Sequence, residues 1–507
     1  MANRSAPPQR APMVAALLAA LVLTGCTTTP APDPRPVTTP LTSDVAEVCD
    51  NTTPGPTTQP RGSIAVDPAV DSDLIAKTAA NPAGSTFWLR PGRHTLGTGQ
   101  YSQVESKPGN TYLGAPGAIL DGRGKNNYAI TGDAANVTIR HLVIRGFTAP
   151  NNEGVVNHNS ANGWIIEHST IEQNRGAGLM AGARQRVRHN CLRDNGQYGM
   201  NAYQPGDGID DLVVEGNEIT GNNTDDWETH KPGCGCTGGV KFWAVDGAVI
   251  RDNWVHGNHG PGLWADTNNN DFLIEGNFID RNADEAIIYE ISYNAVIRNN
   301  TIRENNVGAS KALAESGDTF PHAAIYISES GGEPRVPAGT DRIDIYRNVL
   351  VNNWSGITLW ENADRFCNSP VSPTGDCTLL VDAPERCTQP AIASAPLYDD
   401  CRWKTQRVDV HDNEFVFDPD VLGCADLPCG RMAVLANEGS EPAWSPYRGD
   451  LVKLAITQQQ NRWHDNSYRG PWKFVAKGTD TVLDHHGWQA APHAQDTDST
   501  FAPQGGS

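Results

Sequence analysis

Short segments in which apolar and polar residues alternate recur along the middle of the chain. Residues 248–258, 272–282 and 295–305 each hold an alternating segment, an asparagine, a second alternating segment and another asparagine five residues after the first. The repeat advances by 24 residues and then by 23 residues. The same pair of positions recurs as Asn190/Asn195, Asn217/Asn222 and Asn348/Asn353, with Ser169 before Asn174. Alternation with a period of two predicts β-strands that have one buried and one exposed face.

Strands this short cannot fold alone, so the repeat predicts coils that stack in parallel about 4.8 Å apart. The asparagines fit bends between strands, where the side-chain amide bonds the backbone and stacks on the asparagine of the next coil. A leucine-rich repeat would need Leu-x-x-Leu-x-Leu frames, which the sequence lacks, and a propeller would need antiparallel blades with longer periods. The pattern therefore predicts an all-β solenoid, a single-stranded parallel β-helix.

The remaining segments fit around this solenoid. Residues 72–80 predict a short amphipathic helix that covers the open N-terminal end of the stack. We place the β-helix over residues 56–490 and a disordered tail over residues 491–507. Insertions interrupt the repeat near residues 223–237, 306–321 and 362–406.

The N-terminus has the features of an export signal. Residues 1–25 combine a basic start with an apolar run too short to span a bilayer in the usual way. The run ends in Leu-Thr-Gly-Cys at Cys26, which resembles a bacterial lipoprotein cleavage site and implies a lipid on that cysteine. The alternative is a secretory signal whose cysteine is incidental. We expect an extracytoplasmic protein, lipid-anchored to the bacterial cell membrane, with a Thr/Pro-rich tether over residues 26–55.

Cysteine content and charge narrow the classes further. Without Cys26 ten cysteines remain, an even number that favours disulfides over a zinc site because the ligand spacings of zinc sites are missing. The pairing stays open. The formal net charge of −20 repels nucleic acid and polyanionic glycans and is compatible with a neutral substrate. We expect a monomer that is attached to the membrane only through its lipid anchor.

The chain resembles the secreted right-handed β-helix, or pectin-lyase-like, proteins. The resemblance covers about residues 60–480 and is carried by the asparagine frame, GAPGA at 114–118, GLWAD at 262–266 and EISYNAVIRNN at 290–300. It implies an all-β, right-handed parallel β-helix with a short N-terminal capping helix and disulfide-bearing loop insertions. That superfamily is rich in polysaccharide lyases, glycoside hydrolases and epimerases, and it also has non-catalytic members. No complete polygalacturonase or pectate-lyase signature is present, so the resemblance assigns no residue roles.

Stacking turns equivalent outward positions into columns. After the second asparagine of each frame, a Gly- or Ala-led strand begins, and every second side chain points outward. The first outward column reads Met180, Asn201, Lys241, Trp264, Ile288, Tyr326 and Thr358. The second reads Gly182, Tyr203, Trp243, Asp266, Glu290, Ser328 and Trp360. Two ways of counting the last coil differ by one residue, so either Trp360 or Glu361 faces the groove.

Asp266 and Glu290 therefore place two carboxylates on adjacent coils among aromatic side chains. Aromatic rings beside acids suit sugars, whose C–H faces pack on rings while their hydroxyl groups bond carboxylates. Glycosidic cleavage commonly needs one protonated and one ionised carboxyl group, and two like charges this close raise the pKa of one of them. The predicted catalytic residues are Asp266, Glu290 and Lys241. The predicted substrate-binding residues are Trp243, Trp264, Tyr203, Tyr326, Trp360 and Glu361.

Three functions remain open at this point. The first is a glycoside hydrolase that uses Asp266 and Glu290 and requires no cofactor. The second is a polysaccharide lyase in which Lys241 is the base of a β-elimination and the two acids hold an optional Ca²⁺. The third is a non-catalytic glycan-binding or structural lipoprotein, in which both acids are solvated strand residues.

Overall fold

The computed structural model describes residues 45, 47–204, 208–370, 377–381, 383–388, 390–439 and 456–503. The predicted signal peptide over residues 1–25 and the predicted lipidation site Cys26 lie outside the described residues.

Three sheets of 13 strands run side by side along the chain, and each coil contributes one strand to each sheet in turn. Sheet 1 consists of Ile64–Val66, Thr86–Leu89, Thr111–Gly114, Thr138–Arg140, Ile165–Glu167, Arg186–Arg188, Val213–Glu215, Val249–Arg251, Phe272–Glu275, Ala295–Arg298, Ile343–Tyr346, Val408–His411 and Arg462–His464. Sheet 2 consists of Gly92–His94, Ala118–Asp121, Val143–Arg145, Thr170–Glu172, Cys191–Arg193, Glu218–Thr220, Trp254–His256, Phe278–Asp280, Thr301–Arg303, Val349–Val351, Glu414–Val416, Ser467–Arg469 and Thr500–Ala502.

Sheet 3 carries the predicted groove. It consists of Val104–Glu105, Ile130–Thr131, Gly154–Val156, Ala177–Met180, Tyr198–Ala202, Gly238–Phe242, Leu263–Ala265, Ile287–Glu290, Ile325–Ser328, Ile357–Glu361, Arg431–Ala436, Lys473–Lys477 and Val482–Leu483. Neighbouring strands are parallel except for the last pair of sheet 3. The predicted parallel β-helix is confirmed.

The other elements are short. A small parallel pair joins Ile209–Asp210 to Val245–Asp246. The α-helices are Asp73–Ala80, Trp227–His230, Val307–Glu315, Leu397–Cys401, Pro419–Leu422 and His485–Gln489. Single 3₁₀ turns occur at Pro384–Thr388, Pro390–Ala393 and Ile456–Gln458. Within the described part of the chain, none of these helices has the length and apolar character needed to cross a bilayer.

The repeated asparagines form buried ladders at the bends, as predicted. The backbone N–H and the side-chain amide of Asn277 both donate to Asn300 Oδ1 at 3.0 Å, and the same amide donates to Ile250 O at 2.9 Å. Asn277 in turn accepts from the backbone N–H of Asn253 at 3.1 Å. Because each asparagine satisfies backbone groups that the bend leaves unpaired, the bend repeats with little variation from coil to coil.

Alternation fills the interior of the coil. In strand Val249–Arg251 the middle residue, Ile250, is buried while its neighbours are partly exposed. The equivalent residues of the preceding and following coils of sheet 1 are fully buried or nearly so: Ile139, Ile166, Val187, Val214, Ile274, Ile297, Ile345 and Val410. Each such side chain contributes about 2 kcal/mol through removal of apolar surface from water. The stacked apolar columns are therefore the main stabilising feature of the solenoid.

The end of the predicted tether, residues 47–55, packs on the outside of the coils, against sheet 2 and the bend that precedes it. The backbone N–H groups of Val48 and Cys49 donate to Glu218 Oε2 at 2.7 and 2.8 Å, and Cys49 forms a disulfide with Cys191. Composition predicted a free tether because this segment cannot fold by itself. It is ordered here because an existing sheet and a covalent bond hold it.

The C-terminal segment is ordered as well. Strand Thr500–Ala502 pairs with Ser467–Arg469, and Asp496 accepts hydrogen bonds from Tyr468 and Trp488 at 2.9 Å each. The prediction of a disordered tail is wrong for residues 491–503, because they supply the last strand of sheet 2. Residues 504–507 lie outside the described residues.

All ten described cysteines form disulfides, which confirms the choice of disulfides over zinc. The pairs are Cys49–Cys191, Cys234–Cys236, Cys367–Cys377, Cys387–Cys401 and Cys424–Cys429. Two of these bonds stabilise the insertion over residues 362–406, which packs a small apolar core of its own against Ile291 and Tyr293. Disulfides of this number are typical of proteins outside the cytoplasm.

Candidate active site

Strand register places the two predicted acids side by side on sheet 3. Ala265 pairs with Tyr289, so Asp266 and Glu290, the next residue of each strand, are neighbours on adjacent coils. Glu290 pairs with Ser328 of the following coil. Both acids line an open cleft of about 380 Å³, and their side chains are 13% and 16% exposed. The predicted adjacency of Asp266 and Glu290 in the second column is therefore confirmed, whereas Ser328 of the same column is buried.

The first outward column is also in register. Asn201, Lys241, Trp264, Ile288 and Tyr326 are partners in succession on five consecutive coils. Lys241 and Trp264 therefore stand directly beside the two acids, at the centre of the sheet 3 face.

Asp266 forms an ion pair with Lys241. Lys241 Nζ lies 2.8 Å from Asp266 Oδ2, and Thr267 Oγ1 donates to Asp266 Oδ1 at 2.9 Å. The ammonium group also donates to Gly235 O at 2.5 Å and stands 4.1 Å from the centre of the Trp264 ring. Carboxylate, carbonyl oxygen and aromatic face thus contact the amine on three sides and fix Lys241 within the site.

Glu290 has a different environment from Asp266. Trp264 Nε1 donates to Glu290 Oε2 at 3.2 Å, and Arg365 Nη1 donates to Glu290 Oε1 at 3.0 Å. Burial, followed by the negative charge of Asp266, raises the pKa of Glu290, while Arg365 and Lys241 act in the opposite direction. Glu290 thus has an increased tendency to hold a proton.

A third acid, Glu329, lies beneath the cleft. Its side chain is fully buried, and Arg365 Nε lies 3.1 Å from Glu329 Oε1. Burial raises the pKa of Glu329 to about 8, although the Arg365 guanidinium opposes that shift. Arg365 therefore bridges two carboxyl groups with a single positive charge, so the neutral form of one of them is favoured.

Aromatic side chains flank the acids on both sides. Tyr203 and Trp243 meet edge to face with ring centres 5.8 Å apart, and Tyr203 is 39% exposed. On the far side of Glu290, the rings of Tyr326 and Trp360 stack at 6.5 Å. The predicted aromatic residues therefore form two separate pairs rather than one continuous surface.

The ambiguity between Trp360 and Glu361 is resolved in favour of Trp360. Trp360 pairs with Ser328 in the outward column and is partly exposed. Glu361 is 1% exposed and accepts hydrogen bonds from the backbone N–H of Thr405 at 2.9 Å and from Gln459 Nε2 at 2.7 Å. The prediction that Glu361 binds substrate is wrong, because its buried carboxylate is hydrogen-bonded to the end of the 362–406 insertion.

Sequence reasoning missed two residues that complete the site. Arg365 follows strand Ile357–Glu361 in a turn in which Asn362 accepts two backbone hydrogen bonds of 3.1 Å, and this turn brings Arg365 back to Glu290. Glu228, in the helix of the 223–237 insertion, lines the same cleft. Both come from insertions, whose placement no periodic signal encodes.

The optional Ca²⁺ stays a prediction. Across the described ranges, no group of three or more His, Cys, Asp or Glu side chains is arranged to hold a metal ion. The oxygens that such an ion would take from Asp266 and Glu290 are each paired with a cation, Lys241 and Arg365 respectively.

Fold and site together define a parallel β-helix with a charged and aromatic cleft on one outer face. Comparison with protein families gives the same class: the model described as "Right handed beta helix region" matches residues 119–279, 159–333 and 237–372, which together span half of the chain. The chain belongs to this right-handed β-helix family. No curated protein sequence matches it.

Several solved structures are similar to the chain at low identity. The mannuronan C-5 epimerase AlgE4 A-module of Azotobacter vinelandii is 12% identical, with 87% of this chain and 93% of that chain covered and a TM-score of 0.47. The GH87 alpha-1,3-glucanase catalytic unit of Streptomyces thermodiastaticus strain HF3-3 is 12% identical, with 89% and 69% covered and a TM-score of 0.47. Identities and TM-scores this low say nothing about substrate or reaction.

Proposed function

We propose that the protein is a glycoside hydrolase that acts on a glycan outside the cytoplasm. The observation that carries this proposal is a pair of adjacent carboxyl groups with different surroundings. Asp266 pairs with Lys241, whereas Glu290 shares Arg365 with the buried acid Glu329 and has a raised pKa. Carboxyl groups whose environments separate their proton affinities are the typical machinery of glycosidic cleavage. The stacked rings of Tyr326 and Trp360 beside Glu290 suit the packing of sugar rings.

In this mechanism Glu290 is the proton donor. Its raised pKa favours the protonated form, from which the proton passes to the oxygen of the departing sugar as the glycosidic bond breaks. Asp266 stabilises the positive charge that develops on the sugar. Water then supplies the hydroxyl group to that carbon, and the proton that the water loses returns to Glu290. Lys241 and Arg365 position the two acids through their ion pairs.

The contacts of Lys241 favour a hydrolase over the lyase alternative. A base of β-elimination must bring its nitrogen to the substrate, whereas Lys241 Nζ is already in contact with Asp266, a carbonyl oxygen and an aromatic face. The formal net charge of −20 is also more compatible with a neutral glycan than with a polyuronate.

A glycan panel tests the proposal. Soluble neutral glucans, mannans and xylans with both α- and β-linkages, together with polyuronates, would be incubated with the wild-type protein, and new reducing ends would be measured. Glu290→Gln and Asp266→Asn should each reduce turnover by about 100- to 1,000-fold while glycan binding persists. Glu315→Gln, a change at an exposed helix position, is the matched control.

Other outcomes identify the other functions. Turnover that survives both acid substitutions would exclude these residues as catalysts. Products with the ultraviolet absorbance of an unsaturated uronate, lost on chelation, would show a Ca²⁺-assisted lyase. Binding without any turnover would show a glycan-binding protein.

We also propose that Cys26 carries a lipid that anchors the protein to the bacterial membrane. The support is the Leu-Thr-Gly-Cys sequence that ends the apolar run, together with the disulfides typical of an oxidising compartment. In a bacterium that processes lipoproteins, the wild-type chain should fractionate with membranes, and Cys26→Ser should abolish the mass increase due to the lipid. Equal masses, corrected for the substitution, would contradict the anchor.

A further inference from the structure

The sheet 3 cleft has two lobes that meet at the loop of residues 231–237, the CxC loop. The acidic lobe, of about 380 Å³, contains Asp266 and Glu290. The aromatic lobe, of about 290 Å³, contains Tyr203 and Trp243. Residues of the CxC loop line both lobes, so the loop lies between the acids and the first aromatic pair.

Hydrogen bonds fix the CxC loop in this position. The Glu228 carboxylate accepts from the backbone N–H of Gly233 at 2.8 Å and from that of Gly235 at 2.9 Å. The carbonyl oxygen of Gly235 accepts from Lys241 Nζ at 2.5 Å. The loop is thus held by its own insertion on one side and by a residue of the groove floor on the other.

The loop is also attached to the coil below it. A disulfide joins Cys234 to Cys236, and Cys236 O accepts from Gln197 Nε2 at 3.0 Å. Because a cross-link across two residues limits the backbone conformations of the segment, the loop has few alternatives to its observed path.

Gly235 brings the loop into contact with the Trp264 indole. A Cβ atom at Gly235, where φ is +57°, would lie 2.6 Å from Trp264 Cη2 and 3.4 Å from Lys241 Nζ. No sugar ring fits between the loop and the indole at this separation. Trp264, predicted from the sequence to stack on sugar, is covered by the loop and by Lys241 on this side, and its indole N–H donates to Glu290.

On the opposite side, Arg365 contacts Glu290, and aromatic side chains follow on the next coils of sheet 3. There, Tyr326 and Trp360 stack on consecutive coils, and Phe320 meets both rings edge to face at 6.0 and 6.5 Å. These rings lie on the coils that follow Glu290, away from the CxC loop, and their apolar faces suit the packing of sugar rings.

We propose that the CxC loop closes the groove next to Asp266, so that the enzyme removes sugars from the end of a glycan chain. The chain end lies against Gly235 and Lys241, and the rest of the glycan extends over Tyr326 and Trp360. Tyr203 and Trp243 lie beyond the loop and contribute less to binding. This inference rests on the proposed hydrolase function and adds the mode of attack to it.

The product pattern of the wild-type protein tests the inference. On the panel polysaccharide that is hydrolysed, we expect one short product from the first turnovers and a slow fall in viscosity per reducing end formed. Internal cleavage, with a rapid fall in viscosity, would overturn the chain-end mode while leaving the hydrolase function intact. Failure to hydrolyse any panel glycan would overturn both.

Two pairs of variants sharpen the test without relying on removal of the loop. Trp360→Ala should raise KM about fivefold or more, whereas Trp243→Ala should raise it less than about twofold. Equal effects would contradict the direction assigned to the glycan. Thermal unfolding of both variants would separate a binding effect from a loss of structure.

The second pair compares two glycines of the loop with similar positive φ angles. An alanine at Gly235 would contact Trp264, whereas an alanine at Gly233, where φ is +72°, would meet nothing within 4 Å. Gly235→Ala should lower kcat by about tenfold or more, and longer oligosaccharides should appear among its products. Gly233→Ala should change both kcat and the product pattern clearly less. Identical product patterns for the two variants would overturn the role of the loop.

Discussion

The bends of the solenoid and the groove of sheet 3 are built from the same stacked coils but in opposite ways. At the bends, Asn253, Asn277 and Asn300 repeat one side chain and one set of hydrogen bonds of 2.9–3.1 Å. In the groove, successive coils present different residues, among them Asp266 and Glu290, whose charges are balanced by Lys241 and by the Arg365 turn of an insertion. The repeated asparagine amide stabilises the coil because each coil supplies the hydrogen-bond partner of the next. The charged groove residues differ from coil to coil, and their ion-pair partners include residues from insertions outside the repeat.

The largest expected effect is on stability, from a break in the asparagine ladder. Asn277→Ala would leave the backbone N–H of Asn253 without its side-chain acceptor, and it would remove one hydrogen bond each from the Asn253 amide and from Ile250 O. Since an unsatisfied buried group costs about 1–3 kcal/mol and each further hydrogen bond contributes about 1 kcal/mol, we expect a loss of about 4 kcal/mol in the free energy of unfolding. Denaturant unfolding measures it, with Asn151→Ala, at an exposed position, as control. Equal stability of the two variants would show that the ladder is not a stabilising feature.

The next effect is a dependence of stability on pH that originates beneath the groove. Burial raises the pKa of Glu329 from an ordinary value of 4.5 to about 8, so between these values the folded protein holds a proton that the unfolded chain releases. Unfolding then releases a proton, and stability falls as pH rises through this window. Glu285, whose pKa burial also raises to about 8, acts in the same direction.

Glu329→Gln, which resembles the protonated acid, should remove part of this fall. We expect the variant to match wild type near pH 4 and to be about 2 kcal/mol more stable near pH 8, as measured by denaturant unfolding across the range. Glu315→Gln, at an exposed position, should follow the wild-type curve. The contrary result is a free energy of unfolding that rises between pH 5 and 8 to the same extent in wild type and in Glu329→Gln. That result would contradict the assignment of the pH dependence to buried acids.

This difference between bends and groove explains how much the sequence could predict. The asparagine spacing determined the coil, and the alternation that follows each second asparagine placed Asp266 and Glu290 in register, as the pairing of Ala265 with Tyr289 confirms. Both inferences depend on local periodicity, which a sequence carries explicitly. At the last coil the strand start was ambiguous, and there the periodic count alone could not separate Trp360 from Glu361.

Residues from insertions could not be predicted in the same way. The path of Arg365 back to Glu290 depends on long-range contacts of the 362–406 insertion, and the contact of Gly235 with Trp264 depends on the Glu228 hydrogen bonds. Composition predicted a free tether and a free tail, yet residues 47–55 and 491–503 pack on strands that were already formed. A segment with no core of its own is still ordered when a neighbouring sheet edge or face accepts it.

A smaller effect should appear in the pH dependence of catalysis. The Arg365 guanidinium lowers the pKa of Glu290, so Arg365→Met should let Glu290 keep its proton to higher pH. For a hydrolase with Glu290 as proton donor, the alkaline limb of kcat/KM should move up by about one pH unit, as measured by initial rates across the pH range. Arg365→Lys, which keeps the charge, should restore most of the wild-type profile. An unshifted limb in Arg365→Met would show that Glu290 is not the donor.

The smallest effect is expected for the same substitution on an exposed face of the coil. Arg251 contacts Glu215 of the neighbouring strand at 2.8 and 3.1 Å, a geometry as short as that of Arg365 with Glu290, but the two side chains are 43% and 22% exposed. Water and salt screen this pair, so Arg251→Met should change the free energy of unfolding by less than about 0.5 kcal/mol, and by still less at high salt. The hydrogen bonds of Arg251 with Glu215 and of Arg365 with Glu290 have similar lengths. A loss of about 2 kcal/mol or more in Arg251→Met would therefore mean that regular surface pairs stabilise the coil as strongly as the asparagine bends do. A negligible loss would mean that the coil is stabilised by its buried amides and apolar columns, and that the irregular charges belong to the functional site.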